Sequence, residues 1–253
     1  MTKMDYIHPL DREMSDKVLN SSLVKGFLGT IFDEHLDDIN VYVHSASLYQ
    51  LTENHPAVEY LREGCKLFGV DEQPPVYVVR SYQYDVICTG YEKPIIQIPD
   101  ILLENADNDI LRGRMMAMAA AVKADHHKLK FLLWTLQNFG SIIPIPFATT
   151  AMRGLLYEWY RAQYYTYDRA FYLSTKDMAL SLKNILFGEI SPDILENFEF
   201  GNNDTYDCQV ESFFKSNNIV EGLASINAFF QHESWLPARY RELKKYCKGD
   251  LVW

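Results

Sequence analysis

The run Met115-Met116-Ala117-Met118-Ala119-Ala120-Ala121-Val122 carries no charge, glycine or proline. Alanine and methionine are strong helix formers, and methionine packs well against irregular neighbours. The run therefore predicts a helix buried in the core, part of a long helix over 109–136. A chain that is 48% hydrophobic and 14% aromatic can supply a sizeable core around it. At 253 residues one large domain is sufficient, and a pair of domains is also compatible with the length.

The rest of the chain predicts a small sheet among helices. Ser15 is read as the cap of a helix to about Leu36, and 40–44 alternates like a strand. Pro56 suits the first turn of a helix over 57–68, stopped by Gly69. After the Gln73-Pro74-Pro75 linker come three strand signals, at 76–80, 85–89 and 94–98, with a turn at Gly90. Helices dominate afterwards: a short one at 101–104, then 109–136, 150–173, 175–187, 208–215, 219–230 and 236–247. The region 197–207 reads as a loop. The expected class is α+β, mainly helical.

The spacing of residues around Ala117 carries more than a helix signal. Leu111-Arg112 precedes it, and Lys123 and His126 follow. This frame resembles the active helix of the HtpX-like (CAAX prenyl protease-like) zinc metallopeptidases, L-R-x-x-x-x-H-E-x-x-H-x-K-x-x-H. In an HExxH helix, residues i and i+4 share one face. Two imidazoles there grip a zinc ion, and the glutamate activates its bound water. Here Ala117 and Ala121 stand at the two ligand positions, and Met118 stands at the general-base position. A second frame, Glu158-Trp159-Tyr160-Arg161 through Asp168-Arg169-Ala170, resembles the family's E-W-x-R-x-x-E-x-x-A-D-R-A helix, with Tyr164 in place of the third ligand. The resemblance implies a zincin-like single domain over 1–253. It would comprise an N-terminal helical region at 6–75, a peptidase-like core at 76–190 and C-terminal helices at 191–253. It also implies that Asp168 is a retained carboxylate that once oriented a zinc-bound histidine. Arg161, Arg169 or the Tyr164 hydroxyl is its expected partner. A loss of two imidazoles and a carboxylate opens a void, which the Tyr164 ring is expected to fill by packing on Ala117 and Ala121, with Met118 as gap-filler.

The same resemblance extends to the opening Tyr6-Ile7-His8-Pro9-Leu10-Asp11-Arg12, where His8 is expected in a turn or docking role. It also extends to the closing segment from His232 to Arg241. In the family a small sheet presents an edge strand to peptide substrate. Its counterpart here is Asp85-Val86-Ile87-Cys88.

Net charge −10 and a pI near 5.2 argue against nucleic acid and against an anionic membrane as general partners. Cys65, Cys88, Cys208 and Cys247 form no CxxC pair, and the chain opens on charged sequence without a secretory signal. Both features suggest reduced thiols in the cytoplasm. No apolar run of about 20 residues predicts a membrane span. The apolar stretch 131–147, broken by Gly140, Pro144 and Pro146, is either buried or a peripheral contact for a membrane or partner.

Three functions follow as expectations. The first is a pseudopeptidase without metal or other cofactor that binds a peptide or protein, or that serves as the silent partner of an active metallopeptidase in peptide maturation. The second is a pocket repurposed for non-metal chemistry, drawing on Tyr164, Tyr165, Tyr167, Asp125, His126, His127 and Asp168. The third is a metalloprotease with displaced ligands. Adjacent histidines on a helix point about 100° apart, which makes His126 and His127 a poor chelate.

Overall fold

The structure, a computed structural model, describes residues 6–22, 24–26, 49–139, 146–187, 189–190, 192–195, 205–215 and 236–249. The predicted strand at 40–44, the helix at 219–230, His232 and most of the 197–207 loop lie outside the described residues, as does the predicted helix beyond Gly26. Among the described residues the chain is mainly helical with one small mixed sheet.

Two histidine–proline pairs start helices. In α1 (Pro9–Asn20) the His8 Nδ1 accepts from the Leu10 N–H, and in α2 (Pro56–Phe68) the His55 Nδ1 accepts from the Ala57 N–H. Each proline sits where its missing N–H costs nothing. The cap of α1 is thus His8, not Ser15, whose hydroxyl instead donates to Asp11. Gly69 ends α2 in the left-handed conformation that favours glycine.

Four strands follow the order β1-β2-β4-β3: β1 (Tyr49–Gln50), β2 (Val76–Val79), β3 (Ile87–Thr89) and β4 (Ile95–Pro99). β2 and β4 are parallel, whereas β1 and β3 join them antiparallel. β3 pairs only with β4 among the described residues and forms a sheet edge. Alternation along the strands puts Cys88, Ile96 and Val76 on the core face and Ile87 and Gln97 on the other.

The helices α3 (Asp100–Asn105), α4 (Asn108–Lys123), α5 (His126–Phe139) and α6 (Pro146–Thr175) come next. They are followed by α7 (Met178–Leu186), α8 (Pro192–Leu195), α9 (Thr205–Lys215) and α10 (Leu236–Lys248). The Ala/Met run lies in α4, which is buried from Met115 to Val122. Its approach to α2 is close enough to require Gly64, where a Cβ would meet the Met116 Cα at 2.6 Å. The predicted single helix 109–136 is broken between α4 and α5. Asp125 adopts φ 59° there, a conformation that aspartate tolerates better than most residues.

Among the described residues three packed groups form the core. One joins the sheet to α2, α4 and the second half of α6. Another joins α1, α5 and the first half of α6 around Trp159. The third joins α7, α9 and α10. At 30 residues α6 spans about 45 Å and contributes to the first two groups. No helix among the described residues is long and apolar enough to cross a membrane.

Candidate functional site

A groove of about 510 Å³ opens beside the edge strand β3. Its floor carries Ile87, Thr89 and Gln97 from the outward face of the sheet. One wall is the segment Tyr82–Asp85, and the other is built from α5 and α6, including Lys130, Trp134, Tyr157, Tyr160 and Tyr164. Tyr82 is 89% exposed and Ile87 37% exposed, so the groove presents uncovered apolar surface. Asp85 and Val86 precede the strand rather than belonging to it. Val86 and Cys88 are buried, and Asp85 turns its carboxylate toward the helical wall.

Three of the four positions matched to the zinc-site frame lie next to this groove. Met118, Ala121 and Tyr164 border a second, much smaller cavity of about 20 Å³, which shares Asp85, Lys130 and Tyr164 with the groove. That volume holds about one water molecule. Tyr164 from α6 closes one side of this small cavity. Ala121 and Met118 border the same cavity. The Tyr164 hydroxyl donates to Asp85 Oδ2 at 3.1 Å and lies 3.5 Å from the Tyr160 hydroxyl. The Arg239 guanidinium sits 4.6 Å from the Tyr164 ring centre. Burial and the neighbouring Asp85 push the phenol well above its ordinary pKa, so it is neutral at pH 7.

A zinc site at these positions fails on its donors. Alanine methyls offer no lone pair at 117 and 121, and burial together with Asp85 keeps the Tyr164 oxygen a neutral phenol. Among the described residues no group of three His, Cys, Asp or Glu side chains is arranged to hold a metal ion.

Two buried arginines organise the site. Arg239 grips Asp168 with both prongs, at 2.9 and 2.7 Å. Burial pulls the Arg239 guanidinium down, but the charge and hydrogen bonds of Asp168 more than reverse it. Asp168 thus pairs with Arg239 and not with Arg161, Arg169 or Tyr164, as the sequence suggested. Arg169 instead stacks over Tyr246 at 4.7 Å, and Arg161 feels Glu158 and Tyr165. The second buried cation, Arg114, donates to Asn184 Oδ1, to the Tyr84 carbonyl and to the Phe187 carbonyl. It ties the Tyr82–Asp85 rim to Asn184 in α7 and to Phe187 just after it, and Phe187 also lines the groove.

His126 and His127 serve separate ends, as their angular separation requires. His126 Nε2 lies 2.8 Å from Asp11 Oδ2 and its ring meets Trp159 edge-on. Asp11 also accepts from Trp159 Nε1, Thr166 and Ser15. Burial raises this carboxyl, but the attraction of His126 and the hydrogen bonds around it win, leaving the carboxyl below its ordinary pKa. The motif Tyr6–Arg12 is therefore a clasp: Tyr6 donates to the Ala120 carbonyl, the His8 N–H to Thr166, and Asp11 anchors α5 and α6. His127 is buried with no hydrogen-bond partner at Nδ1, and desolvation lowers its pKa to about 4.

No protein-family model, curated protein or solved structure matches this chain. The functional reading consequently rests on the groove and the residues beneath it. Sequence reasoning passed over Arg114, Asn184, Asp11 and Arg239. Of these, Asp11 and Arg239 fall inside segments whose spacing already drew notice. Arg114 and Asn184 carry no motif, and only their burial distinguishes them.

Proposed function

We propose that this chain is a catalytically silent relative of the HtpX-like metallopeptidases that binds an extended peptide along β3. The observation that carries the reading is the groove beside β3, which shares Asp85, Lys130 and Tyr164 with the small cavity bordered by Met118 and Ala121 of α4, where the resemblance puts the lost catalytic centre. An edge strand offers backbone hydrogen bonds to an added strand, and pockets beside it select alternate side chains. The rings of Trp134, Tyr157 and Tyr160 supply broad apolar contact at low entropic cost, with Asp85, Glu189 and Lys130 for polar selection. The three positions that would hold zinc and the position of the base carry Ala117, Ala121, Tyr164 and Met118, so this account has the peptide held and released uncut.

The test is selection from a random peptide display library against the purified protein, with mass spectrometry of the bound peptides. Expected are recovered peptides that remain full-length and that lose affinity when Tyr160→Ala removes one groove wall. Recovery of cleaved peptides, or binding indifferent to Tyr160, would overturn the proposal.

A further inference from the structure

A second concave site shares no residue with the groove. Two contacts join α9 to α10: Lys244 donates to Asp207, and the Arg241 guanidinium lies over the Phe214 ring. Between the two helices lies a cleft of about 310 Å³, within the size range of small-molecule sites. Among the described residues five cations line it, Lys215, Arg241, Lys244, Lys245 and Lys248, against the two carboxylates of Asp207 and Glu211. On a chain of net charge −10, a cleft of this sign is not the default.

The spacing explains how the charges converge. Residues 241, 244, 245 and 248 follow i, i+3, i+4 and i+7 and so share one face of α10, opposite the buried Tyr240, Leu243 and Tyr246. A solvated helix face also collects lysines, and the helix dipole favours cations in the last turn. That accounts for Lys245 and Lys248 on an isolated helix. It does not account for Arg241, which is held 3.5 Å above the Phe214 ring with its Nε unbonded and 4.0 Å from Glu242. Lys244 and Lys245 are each paired with a carboxylate, whereas Lys215 and Glu211 form only an exposed pair, which contributes little. Lys248 has no carboxylate within 4.0 Å among the described residues.

We propose that this cleft binds a phosphate-bearing anion. The planar fork of Arg241, fixed by stacking on Phe214, matches two phosphate oxygens, and Lys248 and Lys215 add point charges around it. The site does not depend on the peptide reading of the groove. The ligand chemistry has two sources, a soluble phosphorylated molecule or the headgroup of an anionic lipid.

Calorimetric titration with inorganic pyrophosphate tests the first source. Flotation with phosphatidylcholine vesicles, with and without phosphatidic acid, tests the second. Binding in either assay is expected to weaken at least about ten-fold, roughly 1.4 kcal/mol, in Lys248→Ala and in Arg241→Ala, and to be unmoved in Lys128→Ala. Lys248 is exposed and pairs with no carboxylate among the described residues, so its variant decides the matter even if the loss of Arg241 disturbs α9. Pyrophosphate binding alone assigns a soluble anion, and vesicle binding that needs Lys248 assigns a headgroup. No binding in either assay, or binding equal in wild type and Lys248→Ala, would overturn the site.

Discussion

The ion pair between Asp168 and Arg239 ties α6 to α10, and its removal should be the most costly polar change in the described structure. Asp168 is 2% exposed and Arg239 9%, and two hydrogen bonds of 2.7 and 2.9 Å join them. Deleting one member of such a pair leaves an uncompensated buried charge, which costs about 3–5 kcal/mol. That is a large share of the 5–15 kcal/mol that is typical of a whole domain. Arg239 also loses its place over Tyr164. We expect Asp168→Asn and Arg239→Met each to lose about 3–5 kcal/mol in urea unfolding followed by circular dichroism. The double variant leaves no orphaned charge, so it should fall short of the sum of the singles by at least about 2 kcal/mol. Single costs below about 1 kcal/mol, or strict additivity, would refute the reasoning.

Three other outcomes follow from the same structure. Gly64→Ala would force a Cβ against the Met116 backbone and should destabilise by about 1–3 kcal/mol in the same unfolding assay. Asp11→Ala strips the acceptor from His126, Trp159 and Thr166. It should cost more than about 2 kcal/mol and shift the emission of Trp159, read in a background with Trp134, Trp235 and Trp253 each replaced by Phe. His127 has a folded pKa of about 4, below its ordinary value near 6.5, so the unfolded chain binds its proton first. Its contribution is therefore present above pH 6.5 and lost as pH falls toward 4, by at most about 3 kcal/mol, and His127→Phe should flatten that slope in pH-dependent unfolding.

Much of the fold was legible because local rules agreed with the packing. Pro56 and Gly69 marked the ends of α2, the turn at Gly90 separated two strands, and the Ala/Met run announced a buried helix. The break at Asp125 escaped because nothing apolar is interrupted there; a single left-handed residue swings His126 onto Asp11. The site was legible in part for a similar reason. Tyr164 and Met118 were identified by spacing along helices, and spacing is preserved in space within one helix. The partner of Asp168 was not, because Arg239 is 71 residues away in sequence and no helical period links them. Arg114 was hidden by its length and charge, which in a sequence suggest a solvated face rather than a buried clamp.

The central claim is that a peptide is held in the groove as an added strand and left intact. The most direct measurement is a backbone N-methylation scan of a selected peptide, read as affinity for the protein, with mass spectrometry of the peptide afterwards. A strand added to β3 bonds through every second amide, so methylation should abolish binding at alternate positions and spare those between, with the peptide recovered whole. Loss of affinity without that two-residue period, or recovery of cut peptide, would contradict the account.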